Sequence, residues 1–162
     1  MDVAALFTQH RDAVFRYLAR YTGDADLAED LVQETFVKLA ERPPKNPELV
    51  RSWLFVVATN LARDARKTSR RRSELARLAT EDSPAAADPA PDPAALVEVA
   101  ELRDRVRAAL QRLSDKERTA LLLREEGFTH REIAAAIGAT TGSVGTLVAR
   151  ALAKLSEGLD NA

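Results

Sequence analysis

Residues 129–155 read THREIAAAIGATTGSVGTLVARALAKL, and this stretch decides the fold class. Thr129 followed three residues later by Glu132 is a capping-box pattern, so it opens a helix through Ile133, Ala134 and Ile137. Gly138 stands where a helix ends in the left-handed conformation, which glycine adopts at no steric cost. After Ala139-Thr140-Thr141 a second helix carries Val144, Val148, Ala151, Leu152 and Leu155. A short helix, a turn and a second helix form the helix-turn-helix arrangement, whose second helix enters the major groove of DNA by its N-terminal end. Ala134, Ala135 and Ala136 let the two helices cross closely. The same spacing also fits an ordinary helical hairpin, so it leaves DNA binding open.

Working outward, Leu96, Val99, Leu102, Val106, Leu110 and Leu113 predict one more helix with these residues inward. Ser114 and Glu117 make a second capping box, opening a helix with Ala120, Leu121, Leu123 and Arg124 that Gly127 ends. Upstream, residues 83–95 read SPAAADPAPDPAA. Four prolines and no large apolar residue cannot build a core, so a flexible, disordered linker is expected over 79–95. It separates a module of residues 1–78 from one of residues 96–162, and the two are expected to move independently. The first module is also helical. Leu6, Val14, Phe15 and Leu18 form a stripe; Thr22-Gly23-Asp24 breaks it; Asp24 or Asp26 caps a helix with Leu27, Leu31, Val32, Thr35, Phe36 and Leu39 inward. Pro43, Pro44 and Pro47 force an extended loop, and a helix from about Leu49 to Arg71 puts Trp53, Leu54, Val57, Leu61 and Ala65 on one face. No strand-like alternation of useful length occurs, so the fold class is all-α.

Composition narrows the function. The chain has 162 residues, no cysteine and two histidines, His10 and His130, far apart. This excludes disulfides, thiolate metal sites and a cysteine nucleophile, and gives no reason to expect a metal or other cofactor. No apolar run reaches membrane-spanning length and the N-terminus has no signal-peptide pattern, so a cytoplasmic protein without membrane insertion is expected. Net charge is −1, yet residues 63–77 are net +5 and residues 80–100 net −5. A basic patch beside an acidic tether suggests a polyanion site, or merely a solvated helix end beside a soluble linker.

Two further constellations stand out. Asp26, Glu29, Asp30, Gln33 and Glu34 share the outer surface of one helix, four residues before Lys38 in the case of Glu34. No histidine or base accompanies them, so the choice is between a solvated face and a protein-docking face rather than catalysis. The other set is Trp53, Asn60, Arg63, Arg66 and Lys67 with Arg70, Arg71 and Arg72. Asn can read a base edge, Arg and Lys neutralise phosphates, and an aromatic can stack on an unpaired base. Trp53 fits a core position better, and Asn60 is compatible with a solvated helix.

At this point the sequence resembles a family. DLAEDLVQETFVKL (26–39) resembles the clamp-binding helix of bacterial sigma factors, and WLFVVATNLA (53–62) resembles their promoter-melting helix. LSDKER (113–118) and GFTHREIA (127–134) look like their second DNA-binding domain, and the short two-domain layout looks like the extracytoplasmic-function group. The resemblance implies a non-enzymatic protein whose partners are core RNA polymerase, promoter DNA and an anti-sigma factor. It implies polymerase docking through Asp26, Glu29, Asp30, Gln33, Glu34 and Lys38. It implies minus-ten contacts from the 43–49 loop, with Lys45 and Asn46, and from Trp53, Asn60, Arg63, Arg66, Lys67, Arg70 and Arg71. Minus-thirty-five contacts would come from Arg118, Thr129, His130, Arg131, Thr140, Thr141, Ser143, Thr146, Arg150 and Lys154. One departure is plain: Gly145, Leu147, Ala149, Leu152 and Ala153 stand where relatives commonly carry basic or polar residues, which implies weaker, less salt-sensitive duplex binding. The competing reading is a stand-alone dimeric helix-turn-helix regulator, which leaves the acidic helix unexplained.

Overall fold

The computed structural model describes residues 1–79 and 95–160, and among them all regular structure is helical. Helix α1 spans Val3–Thr22, α2 Ala25–Glu41, α3 Val50–Ala79, α4 Ala95–Arg112, α5 Asp115–Glu125, α6 His130–Ile137 and α7 Thr141–Asp160. A single 3-10 turn, Pro47–Leu49, precedes α3. Except at its ends, the expected linker lies outside the described residues.

The caps follow the sequence closely. Gly23 ends α1 at φ 71°, and Asp24 rather than Asp26 caps α2 by accepting from the Leu27 amide at 3.1 Å. Both capping boxes are complete, at Ser114 with Glu117 and at Thr129 with Glu132, and Gly138 closes α6 at φ 68°. Helix α3 runs eight residues past the expected end at Arg71, through a segment with no proline or glycine to stop it.

Helices α1, α2 and α3 pack around Val14, Tyr17, Leu18, Leu31, Val32, Phe36, Leu39, Leu54, Phe55 and Ala58. Helices α4 to α7 pack around Leu110, Leu113, Ala120, Leu121, Ile133, Val144, Val148 and Ala151. Burying each large side chain contributes roughly 1.5–3 kcal/mol. Tyr17 and Tyr21, absent from the predicted stripe of α1, are fully buried, and the Tyr17 hydroxyl shares a 2.6 Å hydrogen bond with that of Thr59.

Two expectations are corrected. The inward stripe of α4 fails at its N-terminal end: Val99 and Leu102 are exposed, Val106 is half-buried, and only Leu110 and Leu113 are core. The buried part of α4 is the C-terminal part, where α7 and α1 cover it. Second, the modules do not stand apart in this structure. Helix α1 packs on α4 and α5, α3 packs on α5, and the buried side chains form one continuous cluster. The Phe55 and Phe128 rings meet edge to face at 5.0 Å, and the Tyr21 hydroxyl shares a 3.1 Å hydrogen bond with Thr119. Sequence periodicity reports that a face is apolar but not which neighbour covers it, so this seam was invisible in the pattern.

Candidate polymerase and nucleic-acid interfaces

The basic constellation on α3 divides into two faces. Asn60, Lys67 and Arg71 lie seven and four residues apart, so they share one side of the helix, and all three are exposed. Arg70 is exposed as well. Arg63 and Arg66 instead face the start of α5. The Arg66 side chain is only 13% exposed; it donates to the Gln111 side-chain oxygen, and its Nε lies 4.0 Å from Asp115. Arg63 Nε lies 3.9 Å from the same carboxylate. Burial, and then the like charges of Arg118 and Arg70, weaken the protonated form of Arg66, while Asp115 supports it. In this arrangement Arg66 cannot reach a phosphate, which corrects its grouping with the outward residues. Trp53 is half-buried against the core. In the preceding loop Lys45 is exposed, and the Asn46 side chain accepts from the Glu48 amide at 3.0 Å, capping the 3-10 turn.

The helix-turn-helix is α6 and α7. Its exposed polar residues include Thr129, His130, Arg131, Thr140, Thr141, Ser143, Thr146 and Arg150. Thr140 Oγ accepts from the Ser143 amide at 3.2 Å, so this pair organises the start of α7. Exposed amides and hydroxyls at such a helix start favour an anion. Gly145 lies beside His130, with room for a methyl group. Leu152 is exposed and lines a shallow groove with Arg124, His130, Val148 and Ala149, whereas Leu147 packs against the core.

Two residues expected at the minus-thirty-five element are otherwise engaged. Arg118 is fully buried. Its guanidinium donates to the main-chain carbonyls of Leu110 at 2.9 Å, Gln111 at 3.1 Å and Leu113 at 2.7 Å, and to Asp115 at 3.2 Å. It ties the end of α4 to α5, so it is not a DNA residue. Lys154 Nζ lies 2.7 Å from Glu117 Oε1, the carboxylate that also closes the cap of α5. Burial opposes ionisation of Glu117, but the bonds from Lys154 and Ser114 outweigh it and hold the carboxyl below its ordinary value.

On α2 the inward residues are core, and Asp26, Asp30, Gln33, Glu34 and Lys38 are exposed on the opposite side. Glu29 differs: both its oxygens accept from Arg11 of α1 at 2.8 Å, so it bridges two helices. Its partner lies on another helix, where spacing within α2 could not find it. Among the described residues no group of His, Cys, Asp and Glu could hold a metal ion, and no single helix is long and apolar enough to cross a membrane.

These two helical groups correspond to known sequence families. Sigma-70 region 2 matches residues 6–72, and the region 4 family matches residues 103–155. The ECF RNA polymerase sigma factor SigL of Mycobacterium tuberculosis is 31% identical over 153 residues, covering 86% of this chain and 78% of SigL. The RNA polymerase sigma factor CarQ of Myxococcus xanthus is 34% identical, covering 94% of this chain and 86% of CarQ. The chain belongs to the ECF RNA polymerase sigma factors. Its work is therefore promoter-directed transcription initiation with RNA polymerase. Among solved structures, this sigma factor resembles the sigma factor RpoE of Bartonella quintana, solved in complex with the anti-sigma factor NepR. The TM-score is 0.72 at 25% identity, over 98% of this chain and 97% of the other.

Sequence reasoning missed three side chains of the sigma factor that carry the seam between the two groups. Arg16 of α1 donates to both Glu126 oxygens, at 3.0 and 2.8 Å. Arg51 of α3 donates to the Glu126 carbonyl and lies 4.0 Å from the centre of the Phe128 ring. Partners 110 and 75 residues apart leave no periodic signal.

Proposed function

We propose that this ECF sigma factor docks on core RNA polymerase through the exposed face of α2, with Asp26, Asp30, Gln33, Glu34 and Lys38. In this reading residues 1–78 form the docking and melting domain and residues 96–162 the duplex-reading domain. Opening DNA costs a few kcal/mol per unstacked base, which the protein offsets by holding the exposed strand. Asn60, Lys67, Arg70 and Arg71, with Lys45 and the 43–49 loop, hold that strand at the minus-ten element. Thr140, Thr141, Ser143, Thr146 and Arg150 at the outer side of α7, with Thr129, His130 and Arg131 of α6, contact the minus-thirty-five duplex. The protein acts in the cytoplasm, has no catalytic site, and is restrained by an anti-sigma factor.

The observation that carries this reading is the separation of charge on the first domain: an acidic, solvent-facing α2 and a basic, solvent-facing side of α3. One suits a basic protein surface and the other a nucleic acid. The likeness to a sigma factor solved with its anti-sigma factor supports the inhibitor as a partner. Reversing Asp30 and Glu34 to lysine tests the docking face. Both are exposed, so far-UV circular dichroism stays helical while binding to core polymerase is lost. Unchanged affinity for core would remove the assignment.

A further inference from the structure

We propose that α7 reads thymine methyl groups in the minus-thirty-five duplex, with Ala149 and Leu152 as the reading side chains. This rests on the assignment of the α6–α7 pair to that duplex. Gly145, Ala149 and Leu152 are spaced by four and three residues, so they lie on one line along α7. That line borders a groove of about 230 Å³ whose other walls include Arg124 of α5 and His130 of α6, with buried Val148 beneath. Ala149 is exposed, and Leu152 is 46% exposed. Gly145 has no side chain, and a methyl placed there meets only the His130 ring, at 3.9 Å. The line therefore carries neither a charge nor a side-chain donor, while Arg124, His130 and Arg150 stand exposed beside it. These neighbours suit a polyanion, and the groove is continuous with the surface already assigned to DNA. Leu147, the remaining large apolar departure near the start of α7, packs inward and takes no part.

The chemistry of the major groove then selects the base. Guanine presents two acceptors there, cytosine a donor, adenine one of each, and thymine an acceptor with a C5 methyl. Pressed against Ala149 and Leu152, the polar edge of guanine or cytosine loses its water and gains no partner, which is costly. The thymine methyl is the one apolar group that any base offers in this groove, and small apolar side chains match it. Thr146, exposed and three residues before Ala149, adds a methyl and a hydroxyl that can donate to thymine O4. Arg150 and the start of α7 hold the flanking phosphates, so positioning and reading fall to different residues. Discrimination that comes from methyl burial persists at salt concentrations that weaken the phosphate contacts.

The test uses the full chain bound to core polymerase. The complex selects from promoter duplexes with a randomised upstream segment, and thymine is expected to be enriched at adjacent positions of the minus-thirty-five element. The selected duplex is then remade with deoxyuridine at those positions, which removes each methyl and keeps every hydrogen-bonding group. Affinity is expected to fall about fourfold per methyl, the ratio that corresponds to burying one methylene. That ratio is expected to stay the same at low and high salt. Leu152→Ser and Ala149→Ser, both at exposed positions, are expected to keep their helicity and to bind the two duplexes more nearly alike. Gly145→Arg is expected to shift the preference at the nearest position to guanine and to steepen the salt slope by about 1. Equal affinity of the wild type for the thymine and deoxyuridine duplexes, or guanine enriched at those positions, overturns methyl reading. A thymine preference that both serine variants leave intact shows that the complex senses DNA stiffness, and it overturns the assignment to Ala149 and Leu152. No enrichment in the upstream segment overturns duplex reading by α7 and the proposal with it. Run-off transcription from the selected duplexes separates these failures from a failure of the sigma reading, because a sigma factor that ignores the methyls still initiates from both.

Discussion

At the scale of single residues, Arg118 and Arg150 show why an arginine in a helix-turn-helix domain is not automatically a DNA contact. Arg118 sits in a sequence stretch that looks like a DNA-binding motif, yet it holds three main-chain carbonyls inside the protein. Replacing it with alanine leaves those acceptors unpaired and is expected to lower stability by about 3 kcal/mol in urea unfolding. Lysine does not rescue it, because one ammonium cannot span the fork of acceptors. Arg150 is exposed. Arg150→Ala is expected to leave stability unchanged and to reduce the salt slope of duplex binding by about 1, while Arg118→Ala destabilises the fold without altering that slope. A stable Arg118→Ala protein with a reduced slope would return the residue to the DNA. The caps at Asp24, Ser114 and Thr129 were legible from local spacing because their partners lie three residues away. The roles of Arg118 and Lys154 were not, because charge and spacing do not tell a buried guanidinium or a paired ammonium from a free one.

Among the elements, α4 and α7 cross at Gly158. A side chain added there would meet the Ala109 methyl at 3.2 Å, tighter than an ordinary contact, so glycine and alanine together set the approach of the helices. Gly158→Leu is expected to push them apart and cost about 1–3 kcal/mol, visible as a lower urea midpoint with helicity retained. No loss would mean that α4 shifts freely on α7. The inward faces of α2 and of the α6–α7 pair could be read from the sequence, because each has one dominant apolar side covered within its own group. On α4 the same pattern misled. Its apolar residues run its whole length, but among the described helices the covering ones meet its C-terminal part, leaving Val97, Val99 and Leu102 in solvent.

For the whole molecule, the seam makes one cooperative body of two sequence modules. A continuous buried cluster predicts that the wild type melts in a single calorimetric transition, and that Glu126→Arg divides it into two by placing like charges against Arg16. Two transitions already present in the wild type would show that the seam adds little to stability. The modules themselves were readable from the proline-rich stretch between them, whereas their mutual packing depends on residues a hundred positions apart that obey no period. The chain has only two tyrosines, and one of them, Tyr21, lies on the seam against Thr119 and under the Arg118 guanidinium. Burial pushes its phenol above the ordinary value of 10.0. Separation of the domains hydrates that ring, brings its pKa down toward 10.0 and shifts its ultraviolet absorption, so the unlabelled protein carries its own optical gauge of how far the domains have parted.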